Sequence, residues 1–399
     1  MGTLSTAVPV QPVKSKRIHS IDLLRGTVMI IMALDHVRDY FHAGAFQFDP
    51  TDLSRTDVPL FFTRLITHFC APVFTFLAGT SAFLNGTKKT KKELSFFLFT
   101  RGLWLVVAEM LIVTLGWSFN PAYPVLILQV IWALGVSMMV LSVLIFLPQT
   151  VILITGLAII AAHNLLDAPP SESTSFLMAT LHESHFFFMK PFSVMLGYPV
   201  LPWIGIMLTG YGFGRLYLPT FDAGKRRKLL IALGLGAIAL FIIIRSINIY
   251  GDPRPWSFQK TAVFTFMSFL NTTKYPPSLL YILMTLGPSL LFLAFSEKPL
   301  NRFSEKLVIF GRVPMFFYLL HIYLIHTLAV IAVAASGHKW SDMVLTGWVS
   351  ANEQLKGYGY SLAFVYALWI IIIIAVYPLC RWYDNYKRVN RETWWLSYI

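Results

Sequence analysis

Long apolar stretches separated by short polar segments run along almost the whole chain. A helix rises about 1.5 Å per residue, so about 20 apolar residues cross the hydrocarbon core of a bilayer. The segment 257–270 is shorter and contains Lys260, which favours an interfacial or re-entrant piece. The remaining pattern predicts an all-α polytopic membrane helix bundle of about ten transmembrane helices, at 21–41, 61–84, 94–117, 125–147, 148–166, 198–217, 229–247, 278–296, 307–335 and 360–380.

Composition supports a membrane protein. Of the 399 residues, 56% are hydrophobic and 13% are charged, whereas soluble domains carry about 25% charged residues. The formal net charge of +13 would suggest a nucleic-acid partner in a soluble chain. In a membrane protein, basic residues instead mark the cytoplasmic ends of the spans, so we expect the lipid bilayer and no nucleic acid as a partner.

The distribution of Lys and Arg predicts the orientation. With both termini cytoplasmic, the inside segments hold 18 Lys and Arg residues and the outside segments hold 7, as the positive-inside rule requires. The predicted organisation is a cytoplasmic N-terminal tail at 1–20, a single transmembrane domain at 21–380 and a cytoplasmic C-terminal tail at 381–399. No outside loop is long enough for an independent domain, so we expect the function to lie inside the bundle.

The first span is unusually polar. Charged side chains inside a bilayer are costly and usually face a cavity or a partner. Arg25 and His36 are eleven residues apart, which places them within about 20° on one helix face and about 16 Å apart along the axis. Seven ionisable groups lie in this span or directly after it, at Asp22, Arg25, Asp35, His36, Arg38, Asp39 and His42.

A helix face with Arg25 near one end and His36 near the other suits a substrate with two chemically different ends. The guanidinium of Arg25 can hold phosphate groups, and the imidazole of His36 can act as a base or a nucleophile. Asp39 is one turn beyond His36 and is expected to orient its ring. Asp35 is a further catalytic candidate, which could instead pair with Arg38. The alternative is that Asp22 and Arg25 form an interfacial pair and that His36 is an ordinary buried histidine.

Further candidates lie in other spans. His68, His321 and His326 are flanked by apolar residues and are candidates for contact with the substrate. His321 and His326 are about 140° apart on a helix, so they do not suggest a shared metal, and no metal is expected. Arg312 could join Arg25 around a polyanion or extend to the membrane interface. Cys70 and Cys380 suggest neither a disulfide framework nor a zinc site.

Several sequence blocks carry a resemblance to a known family. They are SIDLLRG, ALDHVRDYF, HFCAPVFTFLAGTSAFL, FLNTTKYPPSLLYILMTLGP and FGRVPMFFYLLHIYLIH, and they extend from about residue 17 to 335. The chain resembles the bacterial branch of the heparan-α-glucosaminide N-acetyltransferase family. The spacing of Arg25 and His36 is also similar to the motif of the acyltransferase 3 family, which shares a ten-helix core.

The resemblance implies acyl transfer across a membrane, from cytoplasmic acetyl-CoA or another acyl-CoA to a hydroxyl or amine of a sugar or glycan on the outer side. It assigns Arg25 to CoA binding and His36 to catalysis. In the heparan branch proper, the position of His36 is Asn and the reactive histidine lies in the first outer loop. His42 is the closest match here, so the choice between His36 and His42 stays open.

The expected location is the bacterial cytoplasmic (inner) membrane, where the protein would be a multi-pass integral protein and could form a homodimer. A second class of function is kept beside the enzyme. The charged first span also suits a proton-coupled transporter or exporter of a small polar solute or glycan. Binding of acyl-CoA would separate the two, because a ligand of the folded state raises the melting temperature.

Overall fold

The computed structural model describes residues 18–167, 174–390 and 392–398. Most of the predicted N-terminal tail, with the basic residues counted at 14–17, lies outside the described residues, as does Arg391. The first helices in chain order are α1 (His19–Phe41), α2 (Val58–Thr67), α3 (Cys70–Gly86), α4 (Lys91–Ala108), α5 (Thr114–Ser118), α6 (Val130–Leu144), α7 (Gln149–Ala162) and α8 (Phe176–Leu181). They are followed by α9 (Val200–Phe213), α10 (Ala223–Ile247), α11 (Ala262–Leu270), α12 (Leu279–Phe295), α13 (Arg302–Arg312), α14 (Pro314–Ala335) and α15 (Leu362–Val389).

Six helical stretches of the described chain are long and apolar enough to cross a membrane: Val58–Gly86, Lys91–Ser118, Gln149–Leu166, Ala223–Ile247, Pro314–Ala335 and Leu362–Val389. Two shorter apolar helices, α6 and α12, lie among them. The segment predicted to be interfacial forms α11, which has nine residues and is too short to span a bilayer. The last helix, α15, continues past residue 380 to Val389.

Helix α1 occupies the centre of the bundle. It has 23 residues and packs against α2, α3, α12, α13, α14 and α15. Its closest neighbour is α13, because Gly26 and Gly311 face each other without side chains. A Cβ atom on Gly26 would lie 1.9 Å from the carbonyl oxygen of Leu307. The charged residues of α1 are therefore surrounded by protein, as charged groups at membrane depth require.

The observed elements differ from the predicted spans in several places. The stretch 125–147 begins with a strand, β1 (Val125–Leu128), before α6 starts. Strand β3 (Ser193–Leu196) pairs in parallel with β1 and antiparallel with β2 (His185–Phe187), so the sheet order is β1-β3-β2. Short apolar runs do not distinguish strand from helix by pattern alone, and the expectation of an all-α chain missed this small sheet.

A second difference is at the predicted span 307–335, which consists of two helices. Helix α13 ends at Arg312, and α14 starts at Pro314. Proline lacks a backbone N–H and fits the first position of a helix, where that N–H has no partner in the helix. The break separates the amphipathic α13 from the apolar α14. It also sets the start of the helix that carries Tyr318 and His321.

Two buried polar residues fix local structure around the bundle. The carboxylate of Glu109, in a π-helical turn at Glu109–Val113, accepts a hydrogen bond from the backbone N–H of Trp132 at 2.8 Å. This contact caps the start of α6. The buried guanidinium of Arg245 donates to the carbonyls of Phe269 and Arg254, at 2.9 and 2.8 Å, and so holds the loop before α12.

Candidate active site

A cavity of about 480 Å³ opens beside the second half of α1. We call it the histidine cavity, because His36 and His42 both line it. It combines charged groups with aromatic rings, among them Trp117, Tyr318 and Trp348. The charged side chains in its lining are Asp35, Arg38, Asp39, Asp49, Arg64 and Lys274.

His36 is held by a second histidine. Its Nδ1 atom lies 2.8 Å from Nε2 of His321, and the two ring planes are within 6° of parallel. Nδ1 of His321 lies 2.7 Å from the carbonyl oxygen of Phe317. His321 is fully buried, whereas 8% of His36 is exposed. The helices α1 and α14 thus bring together two residues that are 285 positions apart.

The hydrogen bonds assign the protons of this pair. A carbonyl oxygen only accepts, so Nδ1 of His321 must donate to Phe317, and Nε2 of neutral His321 is an acceptor. Nδ1 of His36 therefore donates to it, and Nε2 of His36 retains its lone pair. Among the described residues, that nitrogen has no hydrogen-bond partner, and the residue lines the histidine cavity. The unprotonated nitrogen is the one that a general base uses.

The expected contact between Asp39 and His36 is absent from the described structure. The carboxylate of Asp39 accepts a hydrogen bond from Arg38 at 2.5 Å instead. Sequence spacing placed Asp39 one turn from His36, but Arg38 is adjacent and its positive charge attracts the carboxylate. The position expected for Asp39 is occupied by His321, a contact that spacing within one helix does not predict.

Asp35 anchors a network of ion pairs. Its carboxylate pairs with Arg38 at 2.9 Å, as expected, and also with Arg64 at 2.5 Å. The hydroxyl of Thr67 donates to it at 2.9 Å. With two guanidinium partners, Asp35 is committed to holding α1 and α2 together. This arrangement fits a positioning role rather than proton transfer.

His42 lies at the end of α1, also on the histidine cavity. Its Nδ1 accepts the backbone N–H of Gly44 at 3.1 Å and so caps a 3₁₀ turn. Because Nδ1 is an acceptor, the proton of the neutral ring is on Nε2. Burial, together with the positive charge of Arg38, lowers the pKa of His42. The ring thus faces the cavity with a donor, whereas His36 faces it with an acceptor.

The three histidines expected to contact substrate are outside the lining of the histidine cavity. The ring of His68 lies 5.3 Å from that of Tyr281, between buried helices. His326 is fully buried, with Nδ1 2.8 Å from the carbonyl of Gly116 and Nε2 2.9 Å from that of Met343. His321 contacts the Nδ1 atom of His36 and does not line the cavity. All three histidines are buried, and their contact with a substrate stays a prediction.

A second cavity, of about 510 Å³, adjoins the histidine cavity. We call it the arginine cavity, since Arg25, Arg101 and Lys89 line it together with many apolar side chains. The two cavities share four lining residues: Met32, Phe74, Val130 and Tyr318. Arg25 also lines a third and more open space of about 1220 Å³, together with Lys88 and Arg226. Arg25 therefore stands between this open space and the arginine cavity.

Arg25 contacts several groups around it. It donates to the hydroxyl of Ser81 at 2.9 Å and to the carbonyl of Gly311 at 3.2 Å, and it pairs with Asp22 at 3.4 Å. The ion pair with Asp22 is the one that the alternative interpretation of the sequence predicted. The position of Arg25 in the lining of the arginine cavity is the one expected of a ligand-binding residue. Arg25 has both properties.

Arg312 shares Asp22 with Arg25 but does not line the same cavities. Arg312 pairs with Asp384 at 3.4 Å and approaches Asp22 at 3.8 Å, and it is outside the lining of the arginine cavity and of the open space. The carboxylates of Asp22, on α1, and Asp384, on α15, both pair with its guanidinium. The basic residues that do join Arg25 are Lys89 and Arg101.

The histidine cavity contains groups that the sequence did not single out. Lys274 and Tyr275 come from the loop held by Arg245, and Trp348 comes from the segment before α15. The ring of Trp117 lies edge-on to His36, with ring centroids 4.9 Å apart. Residues from segments this far apart meet only through the fold. In addition, no three His, Cys, Asp or Glu side chains of the described chain are placed to hold a metal ion.

Fold and geometry define a helical membrane protein with a buried histidine pair beside one of two adjoining cavities. Residues 17–250 match the family described as heparan-alpha-glucosaminide N-acetyltransferase, catalytic, and because they make up more than half of the chain, the protein belongs to that family. No curated protein matches the chain. Membership identifies a multi-pass membrane protein with acetyltransferase activity as its general function. The match includes Arg25, His36 and His42 and ends before α14.

Proposed function

We propose that the protein transfers an acetyl or other acyl group from cytoplasmic acyl-CoA to a hydroxyl or amine of a sugar on the outer side of the membrane. The observation that carries this proposal is the junction of the histidine cavity with the arginine cavity. A donor entering beside Arg25 and an acceptor entering beside His36 meet at the four residues that the cavities share. Neither molecule has to cross the membrane.

The charges of the two ends support this assignment. CoA carries phosphate groups at one end and a thioester at the other, joined by an extended and largely uncharged arm. Arg25, Lys89 and Arg101 provide cationic groups for the phosphates, and guanidinium groups bind phosphates through paired donors. The apolar wall beyond them fits the arm. We infer from the Lys and Arg distribution that this end and both chain termini lie in the cytoplasm, in a bundle of about ten spans.

His36 has the geometry of the base. Its free Nε2 removes the proton from the acceptor hydroxyl or amine as that group attacks the thioester carbon. Nδ1 meanwhile donates to His321, which keeps the ring in the required tautomer. The same proton can then pass to the leaving sulfur. His42, which presents a donor to the cavity, is placed to bind the acceptor rather than to deprotonate it.

Ligand binding and transfer in detergent test this function. Acetyl-CoA is expected to raise the melting temperature of the purified protein, because a ligand at about 100 times its Kd adds about 2.7 kcal/mol to the stability of the folded state. Glucosamine, used as a probe acceptor, is expected to become acetylated. Unchanged melting in acetyl-CoA, together with uptake of a polar solute into vesicles, would contradict the enzyme and favour transport.

A further inference from the structure

The junction of the two cavities has one polar side chain in its shared lining. Of the four shared residues, Met32, Phe74 and Val130 are apolar, and Tyr318 has a phenolic hydroxyl. A thioester that enters through the arginine cavity must reach this junction to be attacked from the histidine cavity. Its carbonyl oxygen acquires negative charge during the attack, and the hydroxyl of Tyr318 is the side-chain donor of the shared lining.

The hydroxyl of Tyr318 has an available proton. The indole N–H of Trp117 donates to the phenolic oxygen at 3.4 Å, so the oxygen acts there as an acceptor. Among the described residues, the O–H hydrogen has no acceptor. Tyr318 is 97% buried, with 3% of its surface exposed. A buried hydroxyl usually has a hydrogen-bond acceptor. A ligand at the junction of the two cavities would supply that acceptor.

The surroundings hold Tyr318 close to His36. Their ring centroids are 6.0 Å apart, at an interplanar angle of 79°. Tyr318 and His321 are three residues apart on α14 and so lie on neighbouring positions of one face. The ring of Trp117 contacts His36 and its N–H contacts Tyr318. The base and the hydroxyl are thus fixed by the same helix and the same indole.

We propose that Tyr318 donates a hydrogen bond to the carbonyl oxygen of the acyl thioester and stabilises the oxyanion of the tetrahedral intermediate. This inference rests on the proposed function. The acceptor oxygen or nitrogen bonds to the thioester carbon, its proton passes to Nε2 of His36, and the carbonyl π electrons move to oxygen. Collapse restores the carbonyl and breaks the carbon–sulfur bond, and the proton on His36 passes to the sulfur.

The substitution Tyr318→Phe keeps the ring and removes the donor. Loss of one oxyanion donor lowers kcat by about 10²–10³-fold, and we expect that loss for acetyl transfer from acetyl-CoA to glucosamine, with little change in the KM for acetyl-CoA. Tyr323 on the same helix is the matched control, because its hydroxyl donates to the carbonyl of Ile112 at 2.7 Å, away from both cavities. Tyr323→Phe should retain kcat, and equal rates for Tyr318→Phe and wild type would overturn the inference.

A spectroscopic measurement separates this inference from the proposed function. Acetyl-CoA labelled with ¹³C at the carbonyl is bound to His36→Ala, which lacks the base, and to His36→Ala with Tyr318→Phe. A hydrogen bond weakens the C=O bond, so the infrared stretch should be lower in frequency when Tyr318 is present. Identical frequencies would overturn the inference while transfer by the wild type still supports the function. Failure of acetyl-CoA to bind either variant or the wild type would overturn both.

Discussion

Arg25 and His36 lie on one helix about 16 Å apart, and they line different cavities that meet between them. Arg25 is in the arginine cavity and His36 is in the histidine cavity. The three helical turns between them fix the distance from the proposed phosphate-binding group to the proposed base. Each residue can be tested separately, because the proposed roles differ in whether they act on binding or on rate.

Arg25→Met is expected to weaken binding of the donor. Hydrogen bonds to charged groups contribute about 1.5–3 kcal/mol, which corresponds to an increase in the KM for acetyl-CoA of about 10–100-fold. Arg302→Met is the matched control, because Arg302 is an exposed residue of α13 that lines neither the arginine cavity nor the open space. Steady-state kinetics check this, and an equal KM for Arg25→Met and wild type would remove Arg25 from donor binding.

His321 is expected to act as a positioning residue. His321→Leu removes the acceptor for Nδ1 of His36 and should lower kcat by about 10²-fold or more, the lower part of the range for general acid–base catalysis. His321→Gln keeps a side-chain oxygen that can accept this bond, and we expect it to recover part of the rate. Melting temperatures of the two variants provide the folding control. If Leu and Gln give the same rate, His321 has only a packing role.

The contact between α1 and α13 predicts a stability effect. Gly26→Ala places a methyl group 1.9 Å from the carbonyl oxygen of Leu307, so the helices must separate, at a cost of about 1–3 kcal/mol as for other overpacked sites. Gly236→Ala is the control, because nothing lies within 4 Å of its added Cβ. Thermal unfolding in detergent measures both. A melting temperature for Gly26→Ala equal to that of Gly236→Ala would contradict the close contact.

His42 is expected to make stability depend on pH. Burial, with Arg38 nearby, lowers the pKa of His42 in the folded protein, so the unfolded chain binds a proton more readily. Protonation of His42 therefore favours the unfolded chain, and the free energy of unfolding decreases as the pH falls below about 6.5, the ordinary pKa of histidine. His42→Gln should lose less stability than wild type between about pH 7 and pH 5. Identical slopes in pH-dependent unfolding would show that His42 titrates normally.

The sequence predicted the central helix and its chemistry better than the contacts around it. The seven ionisable groups of the first span marked the site, because their number exceeds what a membrane anchor needs. His321 and Tyr318 lie about 280 residues further on, and their roles depend on the packing of α14 against α1. No pattern along the chain states that packing. Asp39 was assigned to His36 by helix spacing, but the neighbouring Arg38 holds it.

Strand β1 shows the same limit. Only Gln129 separates its four apolar residues from the apolar α6, so hydropathy joins them into one stretch, 125–147. Pairing with β3, almost 70 positions later, decides that Val125–Leu128 is extended. A helix break at proline is easier to predict from the sequence. Pro314 could have indicated that the stretch 307–335 contains two helices, because proline favours the first turn of a helix.

The central claim is that His36 is the base for acyl transfer from a donor on one side of the membrane to an acceptor on the other. It is tested most directly in proteoliposomes, with radiolabelled acetyl-CoA on the side of Arg25 and glucosamine trapped on the other side. We predict labelled N-acetylglucosamine inside vesicles with wild-type protein, and a rate lower by about 10²–10⁴-fold with folded His36→Ala, since a general base contributes that much. Undiminished labelling by His36→Ala, or labelling abolished only by His42→Ala, would contradict the account.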